Sequence, residues 1–197
     1  MRRSMRRGRR SRRLLEKLLA PPPKLLFREA ELAEARARVV RLEPFKIVGP
    51  PGVGKTTLVR MALAGVSHAY VSCFQRRTLG AILPLLDGAG WKVLDDFSLA
   101  VWDERLFSAV RQLPRAILVE VPHRRSPLLE GNVIEMRPYT AAELEEIVRE
   151  RVVRLRLPAG DEDIRLAAEE GARRGGNARA ALYALHRLLL PRLARHV

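Results

Sequence analysis

The chain of 197 residues has a single cysteine, Cys73. One thiol builds neither a disulfide framework nor a cysteine-based zinc site, so a reducing cytoplasm is the expected compartment. Cys73 follows Ala69-Tyr70-Val71-Ser72 and reads as a buried strand residue. Long apolar runs are also missing, since no stretch approaches the ~20 residues that a bilayer span requires. Before Pro21-Pro22-Pro23 there is no apolar segment of signal-peptide length. Lysine is scarce, standing only at 17, 24, 46, 55 and 92, so subtracting five from the 37 basic residues leaves 32 arginines. Such arginine, alanine and leucine usage fits a GC-rich genome or an ion-pair-rich thermophile and is not in itself a functional signal.

What is abundant is positive charge. The formal net charge is +15, and eight of the first thirteen residues are arginine with no acid among them, so residues from Leu14 onward carry +7. The run reads either as an arm attracted to the phosphate backbone of DNA or RNA, with strong salt dependence, or as a solvated disordered tail. Met5 offers a second start, which leaves open whether residues 1–13 belong to the protein. At 47% hydrophobic and 30% charged residues the composition is that of a soluble globular protein, long enough for one medium domain with a small appendage.

The most specific motif is Gly49-Pro50-Pro51-Gly52-Val53-Gly54-Lys55-Thr56, followed by Thr57. Glycines at these spacings let successive backbone N–H groups wrap a phosphate at a helix start. The Lys55 ammonium then adds charge at the β/γ-phosphates and the Thr56 hydroxyl ligates Mg²⁺. Phe45-Lys46-Ile47-Val48 reads as a buried strand and Thr56 to Ala64 as a helix, the order this loop requires. The expected ligands are ATP and Mg²⁺.

Residues 1–24 are expected to be a basic disordered tail, with a short helix over Leu14 to Ala20 before the prolines. Residues 25–137 then form a core and 138–197 a helical lid. In the core, Glu29 to Leu42 has helical spacing. Apolar runs at Phe45 to Val48, Ala69 to Cys73, Lys92 to Leu94, Ala116 to Val121 and Val133 to Met136 alternate with helical stretches at Thr56 to Ala64, Thr78 to Leu86 and Asp103 to Leu113. That alternation predicts an α/β fold, a five-stranded parallel sheet flanked by helices, with ligands outside the carboxyl ends of the strands. The lid is expected to hold three helices. Thr140 with Glu143 opens the first as a capping box, Asp161 caps the second through Glu169, and Asn177 caps a third that Pro191 ends near Leu190.

A phosphate loop of this kind needs an acid at a neighbouring strand tip to hold Mg²⁺ and a second carboxylate to orient the attacking water. Trp91-Lys92-Val93-Leu94-Asp95-Asp96 supplies both, Asp95 on the metal side and Asp96 as the base. The rival strand Ile117-Leu118-Val119-Glu120 is more apolar and offers one acid, and Asp95-Asp96 capping the next turn is the structural alternative.

With these residues the chain resembles the AAA+ ATPases, particularly the archaeal origin-recognition initiators and related archaeal ATPases, over roughly Phe27 to Leu190. Phe27-Arg28-Glu29-Ala30-Glu31-Leu32 is similar to the family's N-terminal motif, Gly49 to Thr57 to its Walker A loop and Leu94-Asp95-Asp96 to its Walker B. Arg137-Pro138-Tyr139-Thr140-Ala141-Ala142-Glu143-Leu144 is similar to the approach to its lid, and Gly176-Asn177-Ala178-Arg179-Ala180-Ala181-Leu182 to its sensor 2. The resemblance implies that Arg179 reaches the γ-phosphate and that His123 stands at the sensor 1 position, where an Asn is common. It also implies that Arg124 or Arg125 is a candidate arginine finger toward a neighbouring subunit; either is equally a solvated or DNA-facing residue.

Two departures matter. Asp96 replaces the usual Glu and is one methylene shorter, which implies slow hydrolysis. The fourth-to-fifth strand connection spans only about eleven residues, and no winged-helix domain like that of the origin-recognition proteins is expected. The expected function is an ATP-binding, Mg²⁺-dependent slow ATPase switch acting with DNA, a protein partner or further copies of itself. The alternatives are a non-hydrolysing nucleotide-gated adaptor or nucleic-acid-binding protein, and a small P-loop nucleoside triphosphatase or nucleotide kinase in which Arg124 and Arg125 clamp an acceptor phosphate.

Overall fold

The computed structural model describes residues 2–88 and 90–193. In chain order its elements are α1 (Arg2–Leu19), α2 (Glu29–Arg41), β1 (Phe45–Val48), α3 (Lys55–Ala62), β2 (His68–Ser72), α4 (Leu79–Ile82), β3 (Trp91–Asp95), α5 (Glu104–Arg111), β4 (Ala116–Glu120), β5 (Val133–Glu135), α6 (Ala141–Leu155), α7 (Asp161–Arg173) and α8 (Ala178–Leu193). They fall into two compact units. One is Arg28–Arg137, and the other joins the residues on either side of it in the chain.

The first unit is built on a five-stranded sheet in the order β2-β3-β4-β1-β5 with every pair parallel. β1, β3 and β4 are buried along their whole length, as near-continuous apolar runs in a sheet covered on both faces should be. Period-two alternation assigns the faces. Val71, Leu94 and Leu118 are neighbours in register and pack on Ile82 of α4 and Leu106 and Val110 of α5. The opposite face carries Tyr70 and Asp95, both of which reach side chains of α3. Burying the core side chains at roughly 1.5–3 kcal/mol each is the main force holding the layers together.

The five expected strands are present, with no end shifted by more than one residue. The stretch expected as one helix over Thr78 to Leu86 is instead the single-turn α4 running into a 3₁₀ turn at Leu83–Leu85, where Pro84 removes the N–H that would continue an α-helix.

The second unit contains α1 together with α6, α7 and α8, the three helices expected after residue 138. Thr140 and Glu143 form the expected capping box at the start of α6, a feature worth about 1 kcal/mol. At α7 the cap differs from expectation. Gly160 is the N-cap residue and its N–H donates to Asp163 Oδ2, while Asp161 is already helical and the helix runs to Arg173 rather than Glu169. At α8 Asn177 Oδ1 accepts from Ala180 N, and the helix passes through Pro191 to Leu193 instead of ending at Leu190.

At the N-terminus the helix expected over Leu14 to Ala20 is longer than expected, since α1 begins at Arg2 within residues read as a disordered tail. Ser11, Leu14, Leu15 and Leu18 recur at i, i+3, i+4 and i+7, and this stripe is the face drawn away from solvent, with Leu18 fully buried. α1 packs on α8, where His186 Nε2 meets the Ser11 carbonyl at 3.0 Å and hydroxyl at 3.2 Å. Arg9, Arg12 and Arg13 remain exposed.

Candidate nucleotide site

The loop from Gly49 to Lys55 connects β1 to α3 at the carboxyl end of the sheet. Gly49 must be glycine because β5 lies beside it: a Cβ there would stand 2.6 Å from the Met136 carbonyl oxygen. Gly52 and Gly54 adopt φ of 80° and 98°, a region open to glycine at little cost. The chain therefore turns tightly, and α3 begins at Lys55 with its N-terminal N–H groups facing the loop. The Lys55 ammonium donates to the carbonyls of Gly49 at 2.6 Å and Pro50 at 2.9 Å, and Thr56 Oγ1 donates to Asp95 Oδ2 at 2.9 Å.

Asp95 is buried at the tip of β3 and collects further hydrogen bonds. The Tyr70 hydroxyl donates to the same Oδ2 atom, and the Asp96 N–H donates to Oδ1 at 3.0 Å. Burial, and then the bond to Asp95, pushes the Tyr70 phenol above its ordinary range. The Arg60 guanidinium of α3 lies 5.6 Å from the Tyr70 ring centroid. Tyr70 lies outside both the loop and the paired acids, and only its alternation with Ser72 on β2 would have pointed to it.

Asp96 is exposed and left-handed, at φ 54° and ψ 37°, a conformation that Asp tolerates better than most residues. It precedes the 3₁₀ turn Phe97–Leu99, but its side chain does not cap that turn. Cys73 is buried, and desolvation, then the nearby Asp95 and Asp96, pushes its thiol up to about 12. That thiol stays protonated near neutral pH and is no nucleophile.

β4 stands between β1 and β3, so Glu120 ends close to the loop: Gly49 N donates to its carbonyl at 3.3 Å. Its carboxylate is on the other face of the sheet, 3.6 Å from Lys46 Nζ and 3.2 Å from Ser126 N. Burial pushes the Glu120 carboxyl up, and Ser126 and Lys46 oppose that. Of the two candidate acidic strands, only β3 presents its acid to α3.

His123 is exposed in the turn Val121–Arg124. The buried Ser98 pins that turn, accepting from Val121 N at 2.9 Å and donating to the Arg124 carbonyl at 2.7 Å. The turn with His123 is thus tied to the segment directly after Asp95-Asp96. Arg124 stacks on Trp102, 4.9 Å from its centroid, and donates to the Ala100 carbonyl. Arg125 bridges Glu130 and Glu135. Both arginines are engaged by their own chain.

Arg179 belongs to the other unit, exposed in the first turn of α8. The turn ahead of it needs glycine, since Gly176 has φ 71° and a Cβ there would lie 2.5 Å from the Tyr139 carbonyl.

Among the described residues no group of three or more His, Cys, Asp or Glu side chains could hold a metal ion. The Thr56 hydroxyl and the Asp95 carboxylate, in contact, are the oxygen donors that would suit a hard cation such as Mg²⁺ arriving with a nucleotide. Among the described residues no helix is long and apolar enough to cross a membrane.

No protein-family model and no curated protein matches the chain. Solved structures do. It is similar to Cdc6p from Pyrobaculum aerophilum, with TM-score 0.67 and 18% identity over 83% of this chain and 61% of that one. It is similar to the RuvB Holliday junction branch migration motor of Thermotoga maritima, with TM-score 0.63 and 23% identity over 84% and 62%. Domain III of the replication initiation protein DnaA from Thermotoga maritima gives TM-score 0.65 and 15% identity over 92% and 89%. The matched part is about three-fifths of the length of the first two. By sheet order, loop position and these likenesses, the chain has the fold of the AAA+ P-loop ATPases.

Proposed function

We propose that the protein is a Mg²⁺-dependent ATP-binding switch of AAA+ type that hydrolyses ATP slowly and acts on DNA in the cytoplasm, alone or with further copies or a protein partner. The observation that carries this reading is the 2.9 Å contact between Thr56 Oγ1 and Asp95 Oδ2 beside the Gly49–Lys55 loop. It joins the two oxygen donors a nucleotide-borne Mg²⁺ needs at the end of the loop that takes the phosphates.

Gly52, Val53 and Gly54 would direct backbone N–H groups at the β-phosphate, Pro50 and Pro51, which carry no N–H, stiffen the turn that presents them, and Lys55 would exchange its loop carbonyls for phosphate oxygens. Thr56 and Asp95 would hold Mg²⁺, whose charge would offset that of the phosphates, and Thr57 continues the binding turn. Asp96 orients a water for in-line attack and accepts its proton. His123 is the candidate to hydrogen-bond that water or the γ-phosphate, and Arg179 is the candidate γ-phosphate sensor. The shorter Asp96 carboxylate sets the water less well than Glu would, hence slow turnover. The kinase alternative is disfavoured because Arg124 and Arg125, its acceptor clamp, are engaged with Trp102, Glu130 and Glu135.

The test is equilibrium binding of labelled ATP with and without Mg²⁺, followed by single-turnover phosphate release. Binding that Mg²⁺ strengthens and that Lys55→Ala abolishes is expected. Full affinity in Lys55→Ala would end the nucleotide reading, and binding without phosphate release, with or without DNA, would leave a nucleotide-gated adaptor.

A further inference from the structure

Asp95 accepts three hydrogen bonds from its own chain, from Thr56 Oγ1 and the Tyr70 hydroxyl on Oδ2 and from Asp96 N on Oδ1. A carboxylate has about four acceptor positions, so roughly one is left for a metal-bound water. We propose that Tyr70 is a positioning residue for the metal, holding Asp95 Oδ2 beside the Thr56 hydroxyl so that the free lone pair faces the cation of a bound nucleotide. The inference rests on the nucleotide reading above and adds a residue from β2 to it.

The geometry supports a built contact rather than a chance one. Tyr70 pairs in register with Val93 and Ser72 with Asp95, so Tyr70 starts one pleat before the carboxylate on the same face. A phenol ring is long enough to span that rise of about 6.6 Å along the strand. The ring is held by Arg60, which stands four residues after Thr56 and therefore on the same side of α3. Thr56 and Arg60 from one helix thus clasp Asp95 and Tyr70 from two strands. Tyr70 is 37% exposed, so burial alone does not call for an aromatic residue here, and phenylalanine would fill the same space without the hydroxyl bond.

The experiment is a Mg²⁺ titration of nucleotide binding by full-length Tyr70→Phe, followed with a fluorescent ATP analogue and paired with a metal-free measurement in EDTA. Metal-free affinity should stay within about twofold of wild type, while the Mg²⁺ concentration for half-saturation rises roughly tenfold, the usual loss when a hydrogen-bond partner of a metal ligand is removed. In the Asp95→Asn background the same substitution should add less than about twofold, because its effect passes through the carboxylate. An unchanged or lower Mg²⁺ half-saturation in Tyr70→Phe, or an equal increment in the Asp95→Asn background, overturns the proposal and leaves the nucleotide reading standing. A wild-type protein that binds no nucleotide overturns both. Should Tyr70→Phe fail to fold, Arg60→Ala carries the test: its half-saturation rises in the same direction, and no rise overturns the role.

Discussion

Lys46 Nζ lies 3.6 Å from Glu120 Oε2, and both side chains are fully buried in the sheet. Lys46 also donates to the Ser126 carbonyl at 2.9 Å and to Glu130, so the pair belongs to a hydrogen-bonded network on the face turned away from α3. Glu120 is therefore taken up by contacts within its own face, and Asp95 is the acid that meets Thr56. Glu120→Gln is expected to cost about 2 kcal/mol of stability, since it weakens charged hydrogen bonds in a buried network. Its Mg²⁺ dependence of nucleotide binding should match wild type, whereas Asp95→Asn should raise the Mg²⁺ requirement at least about tenfold. Denaturant melts and Mg²⁺ titrations of the two variants check both halves.

Arg179→Ala should leave ATP affinity within roughly threefold of wild type and lower single-turnover hydrolysis by about tenfold or more, as expected when a cation that meets transition-state charge is removed. Stability should not change, because Arg179 is exposed. Quench-flow turnover at the wild-type rate would remove the sensor role.

Ser98 is buried and bonded to both ends of the turn that carries His123. Ser98→Ala leaves the Val121 N–H and the Arg124 carbonyl without that partner, at an expected cost of about 1–3 kcal/mol. Denaturant unfolding measures it, and an unchanged midpoint would show that the turn holds by other contacts.

Within the helical unit Asp163 accepts from Arg192 and from Gly160 N, and the Arg192 bond holds its carboxyl below the ordinary value of 3.8. A depressed folded value means that this stability is complete above 3.8 and is lost as pH falls below it. Asp163→Asn should therefore be less stable than wild type near neutrality, with the gap narrowing as the pH drops below that range. Thermal melts from pH 7 to about pH 2 read this directly.

Arg9, Arg12 and Arg13 are exposed on a helix rather than spread along a loose tail. If they meet DNA phosphates, replacing all three with glutamine should weaken binding and reduce the slope of log affinity against log salt by up to about 2.7. Equal slopes for variant and wild type would make them passengers.

Much of the core was legible in the sequence. Strand, glycine loop and helix around Gly49–Thr56 follow from local rules, since a tight turn with positive φ needs glycine and a covered strand needs an apolar run. The Thr140–Glu143 box and the Asn177 cap were legible for the same reason: a cap acts over three residues. For α1 the helix over Leu14 to Ala20 was legible, but its extension back to Arg2 was not, because that stretch is dominated by arginine and carries no long apolar run. Tyr70 and Ser98 were invisible because each meets a partner more than twenty residues away.

By itself the sequence determined the phosphate loop, the alternation that makes a parallel sheet, and the presence of two adjacent acids. Tertiary structure decided which acid meets Thr56. Strand order places β4 beside β1, yet the pleat turns Glu120 to the far face and Asp95 toward α3. A two-residue period assigns faces only once register is set, and register is a property of neighbouring strands rather than of any one of them.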